Sequence, residues 1–74
     1  MSDKDVTKEQ KLALIASRIR EVKIYKFNAE LTIIEQNAVQ SPIPEIVENA
    51  NKIIDSADDR IAALEAHYTS INAG

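Results

Sequence analysis

The segment VENANKIIDSADDRIAALEAHYTSI, residues 47–71, decides the fold. Within it Val47, Ala50, Ile54, Ala57, Ile61, Leu64, Tyr68 and Ile71 follow one another at steps of three, four, three, four, three, four and three. A strand would need apolar residues at every second position, whereas this spacing keeps all eight side chains on one line of an α-helix. An unbroken 3–4 line is a coiled-coil-type seam, so the segment predicts a long amphipathic helix that packs lengthwise against another helix.

Upstream, the chain offers one stopping point. From Lys8 to Val39 there is neither Pro nor Gly, and the first interruption is Gln40-Ser41-Pro42-Ile43-Pro44. A proline disfavours helix at the residue before it, which pushes Ser41 and Ile43 toward extended backbone. Ser41 or Pro42 could then open the second helix, because a proline is tolerated in a first helical turn. At the N-terminal end Thr7 and Gln10 have the spacing of a capping box, and Ser2, followed by Asp3 and Asp5, is a competing cap. One domain is expected, residues 1–74, with helix 1 over about 7–39, a turn at 40–44, helix 2 over about 45–71, and frayed ends at residues 1–6 and at Asn72-Ala73-Gly74. Two helices, each roughly 45 Å long and joined by a few residues, fold back as an antiparallel hairpin. A single continuous helix would have to absorb two prolines in three residues.

Helix 1 carries two apolar stripes. Leu12, Ile15, Ile19, Val22, Ala29 and Ile33 form the first, interrupted by Lys26, and Ile24, Phe27, Leu31, Ile34 and Ala38 form the second. Folding the chain about Ser41–Pro42 sets residues whose numbers sum to about 82–83 opposite one another, so that Val22 meets Ile61 and Ile19 meets Leu64. The first stripe then matches the helix 2 seam layer by layer. Charges agree: residues 1–40 hold seven Lys and Arg, and residues 41–74 hold six acids against Lys52 and Arg60. This register predicts Arg18 near Glu65, and Lys26 near Asp55, Asp58 and Asp59. The second stripe has no partner within the chain. Ile24, Phe27, Leu31 and Ile34, joined by Ile46 and Ile53 beside the helix 2 seam, are the expected partner-binding face, with Lys23 and Glu30 at its rim. The fold class expected is therefore all-α, an antiparallel two-helix hairpin completed as a four-helix bundle by dimerisation or by a partner.

Composition narrows the function. There is no Cys, so neither disulfide nor thiolate chemistry is available, and a lone His67 argues against a tight transition-metal site. His67 lacks a positioned partner for general-base work, and Asp55, Asp58 and Asp59 lack the alternate spacing and central glycine of a calcium loop. No Gly-rich phosphate loop and no activated nucleophile are present, so no enzyme, cofactor, metal or small-molecule substrate is expected. The run Arg18, Arg20, Lys23, Lys26 could touch phosphates, but Glu21 interrupts it, no aromatic platform accompanies it, and the net charge is −3. Tyr25 is expected on the surface, away from the seam and near Glu21 and Arg18. No apolar run approaches the roughly 20 residues of a membrane span, and the start Met1-Ser2-Asp3-Lys4-Asp5 lacks a signal-peptide core. A cytoplasmic or virion-associated protein is expected.

At the level of architecture such a hairpin resembles the dimeric RNA-binding proteins of plasmid copy control and the small helical-hairpin chaperones of type III secretion, with no motif specific to either. Phage-encoded inhibitors and assembly factors also come in this size. The expected function is a small non-enzymatic protein-interaction module (adaptor, assembly chaperone or inhibitor) acting through the apolar face. The alternative is a self-assembling homodimeric bundle, with nucleic-acid binding through residues 18–26 as its less favoured variant.

Overall fold

A computed structural model describes residues 6–74, as two helices, α1 over Lys8–Ala38 and α2 over Pro44–Ala73, packed antiparallel in a rod of 56 × 18 × 16 Å. The capping box sets the start of α1. The Thr7 hydroxyl accepts from the Gln10 backbone N–H at 3.1 Å, and the Gln10 side-chain oxygen accepts from the Thr7 N–H at 2.9 Å. Two amide donors that the first turn leaves open are thereby satisfied. The competing cap at Ser2, with Asp3 and Asp5, lies outside the described residues.

The two prolines set the turn. Neither Ser41 nor Pro42 opens α2; Pro44 does, at the first helical position, and Ile43 precedes it with φ −93° and ψ 109°. Each proline forces extension on the residue before it. The second proline therefore holds Ile43 out of the helix whatever Pro42 permits. Ile43 has no side chain that can cap; its carbonyl accepts from the Ile46 N–H at 3.1 Å, and its own N–H donates across the turn to the Gln36 amide oxygen at 2.9 Å. At the other end Asn72 and Ala73 remain helical, and the Gly74 N–H donates to the Ser70 carbonyl at 3.2 Å. The Lys8 ammonium donates to the Asn72 carbonyl at 3.0 Å, which ties the last turn of α2 to the first turn of α1.

The seam forms as the spacing requires. All eight seam residues of α2 are buried or half-buried, and so are Leu12, Ile15, Ile19, Val22, Ala29 and Ile33 of α1. The fully buried layer is Val22, Ala29, Ala50 and Ala57. Three of these four are alanines, which let the two backbones approach closely, and Val22, 2% exposed, is the one larger side chain enclosed there. Lys26 interrupts the seam without leaving an uncompensated charge: its ammonium reaches Asp58 Oδ1 at 2.7 Å. The two polar cross-links, Lys26–Asp58 and Lys8–Asn72, have residue numbers summing to 84 and 80, which bracket the expected register.

The hairpin has two edges, one on each side of the seam. The Lys26–Asp58 bridge crosses one edge. A shallow recess lined by Glu21, Val22, Tyr25 and Arg60 marks the other. Residues seven apart on a helix differ in direction by only about 20°. Arg18, seven before Tyr25, thus lies on the Arg60 edge, and Glu65, seven after Asp58, lies on the Asp58 edge. That is why the expected Arg18–Glu65 pair does not form. The ion pairs among the described residues are Lys26–Asp58 and the surface pair Lys52–Glu48.

Candidate partner-binding face

A two-helix hairpin has a single internal interface, so any large apolar side chain off that interface stays open. On α1, Phe27 follows Lys26 and Ile34 follows Phe27 by seven, while Leu31 follows Ile24 by seven. At about 100° per residue these four point roughly 140–150° away from the seam, onto the back of α1. They are 57% (Ile24), 57% (Phe27), 39% (Leu31) and 62% (Ile34) exposed. Together they make a line roughly 15 Å long, one helix wide.

The structure brings together four of the six expected face residues. Ile53 precedes Arg60 by seven and Ile46 precedes Ile53 by seven, so both lie on the Arg60 edge, half-buried against the seam. The Phe27 line lies beyond the opposite edge. Ile46 and Ile53 are therefore flanks of the internal core and do not extend the line on α1. Lys23 is exposed and Glu30 half-buried, and both lie in the strip between the Phe27 line and the Lys26 edge.

The Lys26 ammonium is held above the usual lysine range, first by its hydrogen bond to the Asp58 carboxylate and then by the negative charges of Asp58 and Glu30. Its charge is thus engaged within the hairpin. The remaining cations of the basic run do not share a direction: Arg18 is on the Arg60 edge, Arg20 on the back of α1, and Lys23 between the back and the Lys26 edge. Tyr25 is exposed in the recess beside Glu21 and Arg60, and His67 is exposed beside Lys11, Leu14, Ile15 and Ile71. Among the described residues no three of His, Cys, Asp and Glu gather in a metal-binding group. Among the described residues no helix is long and apolar enough to cross a membrane.

Four further exposed apolar residues, Val6, Leu14, Val39 and Ile43, were not singled out in the sequence. Stepping back from Ile24 by four and three reaches Arg20, Ser17, Ala13 and Gln10 on the helix, and Val6 lies ahead of the Thr7 cap, outside it. The line on the back of α1 thus spans the whole helix, but only its C-terminal half carries large apolar side chains. Val6, Gln10, Ala13 and Leu14 line a separate shallow recess near the start of the helix. Comparison with protein-family models, curated proteins and solved structures yields no match to this chain.

Proposed function

We propose that this chain is a non-enzymatic protein-interaction module, an adaptor, assembly chaperone or inhibitor, that works through the back of α1. The observation that carries the reading is the exposed line Ile24, Phe27, Leu31 and Ile34 on the side of α1 turned away from α2. Burying a large apolar side chain contributes about 1.5–3 kcal/mol. The four are on average about half exposed, so covering them yields roughly 3–6 kcal/mol in total. Association costs about 4–15 kcal/mol in lost freedom. The apolar line alone thus supports a weak contact, and a stable one needs polar complementarity at the flanks. Phe27 is the anchor, being the largest side chain of the line and central to it. A closed four-helix bundle asks each helix to face two neighbours about a right angle apart. The wider angle between seam and line suits a row in which α1 lies between α2 and the partner.

The test is sedimentation of the chain extracted under native conditions from the cells that make it. Wild type should travel in a complex heavier than 8.2 kDa. Phe27→Asp, which puts a charge into a desolvated contact, should sediment as the free chain with its helix content unchanged. A wild type that travels at the mass of the free chain removes the reading.

A further inference from the structure

Resting on that reading, we infer that the occupant of the α1 back is a single amphipathic helix of another protein with basic residues on the side of its apolar seam that meets Glu21 and Glu35, and not a second copy of this chain. The positions that flank the Phe27 line are Glu21, Asn28 and Glu35 on one side and Lys23, Glu30 and Asn37 on the other, each spaced by seven. These are the places from which charges reach a neighbouring helix and select it. They hold three carboxylates and one ammonium. None of the three glutamates belongs to either ion pair of the described residues.

Self-pairing meets like charge in both orientations. The antiparallel arrangement with most large layers sets Ile24 opposite Ile34 of the copy and Phe27 opposite Leu31 of the copy. It then brings Glu21 to Glu35 of the copy, twice by symmetry, and Glu30 to Glu30 of the copy. The parallel arrangement brings Glu30 to Glu35 of the copy, again twice. Like charges at these positions oppose association, and opposite charges favour it. The contact is also bounded on the page. Arg20 stands on the same line one step before Ile24 and ends the apolar stretch there, and the helix itself ends at Ala38. About two heptads of a single helix fit that length. The faces of α2 beyond its two edges carry Glu48, Asn51, Lys52, Asp55 and Asp59 and offer no second wall.

Two designed peptides test the inference. Both carry an Ile/Leu seam at 3–4 spacing, one with Lys at every flanking position and one with Glu. Each repels itself, so neither pairs with its own copies. Binding to the purified full chain is followed by fluorescence anisotropy, alongside the mass of the chain alone by light scattering. The chain alone should be monomeric. The Lys peptide should bind roughly fourfold to thirtyfold tighter than the Glu peptide at low salt, because the Glu21 and Glu35 contacts change from like to opposite charge while the changes at Glu30 and Lys23 cancel. The gap should shrink as salt rises. The double variant Glu21→Lys, Glu35→Lys should reverse the preference, and Phe27→Asp should abolish both bindings. Equal binding of the two peptides, lost on Phe27→Asp, overturns the basic partner and leaves the face standing. A wild-type dimer that Phe27→Asp dissociates overturns it in favour of a second copy, again leaving the face. A monomer that binds neither peptide overturns the inference and the function it rests on together.

Discussion

Truncating Val22 should destabilise this protein more than truncating Phe27, although Phe27 is much the larger side chain. Val22→Ala removes two carbons from a site 2% exposed. At about 0.8 kcal/mol per buried methylene the transfer loss is roughly 1.6 kcal/mol. Beside three alanines the site can collapse only partly. A residual void on the order of 40 Å³, at about 24 cal/mol per Å³, adds roughly 1 kcal/mol. The expected loss is thus about 2–3 kcal/mol, a substantial share of the roughly 4–11 kcal/mol typical of a chain this size. Phe27→Ala acts at a site 57% exposed and off the internal seam, so in the uncomplexed hairpin it should lie within about 1 kcal/mol of wild type. Urea unfolding followed by circular dichroism measures both, at a chain concentration low enough to suppress association. The slope against urea should be the same for all three proteins, so that midpoints report stability directly. Equal losses for the two variants would show that both stripes belong to one cooperative core and that the hairpin does not stand alone. A Val22→Ala loss under about 0.5 kcal/mol would place Val22 outside the core.

Leu64→Ala, at a seam site that is half-buried and not fully enclosed, should cost roughly 1–3 kcal/mol in the same assay, below the 2–5 kcal/mol of a fully buried truncation; no measurable loss would contradict the register. The Lys26–Asp58 pair should give a stability contribution constant from neutral pH up to the ordinary lysine range and lost from there as pH rises through the raised Lys26 value. Thermal melts of wild type and Lys26→Met in alkaline buffers check the sign, since a difference already fading at mildly alkaline pH contradicts it. Binding to duplex RNA or DNA at physiological salt should be weak and unspecific, because Lys26 is engaged and Arg18, Arg20 and Lys23 point in different directions. Tight binding in a filter assay with a steep salt slope, removed by Arg20→Glu with Lys23→Glu, would refute this.

The parts of the fold that could be read from the sequence are those encoded by spacing along one helix. The α2 seam and the first stripe of α1 follow from 3–4 periodicity, and the Thr7–Gln10 box from residue type at a fixed interval. At the start of α2 two prolines compete, and only the three-dimensional turn shows that the second one holds Ile43 extended. Position along the rod alone puts Ile46 and Ile53 with Phe27, and Arg18 with Glu65. Register says which layer a residue occupies, but not on which side of the seam it emerges. That side depends on the hand of both helices viewed in opposite directions, and it separates residues that share a layer. The exposure of the Phe27 line was legible because the seam had already claimed the matching stripe.

The nested order of cross-chain contacts has a kinetic consequence. Gln36 and Ile43 meet seven positions apart, Lys26 and Asp58 much farther, and Lys8 and Asn72 at a separation of 64. Each contact nearer the open end must close a longer loop, at an entropic cost that grows only with the logarithm of its length. The enclosed residues Val22, Ala29, Ala50 and Ala57 fall between the turn and mid-rod. The structure should thus zip from the turn toward the termini and open in reverse. Amide protons near the enclosed layer should then be the slowest to exchange, and those of the paired termini the fastest, in one continuous gradient along the rod.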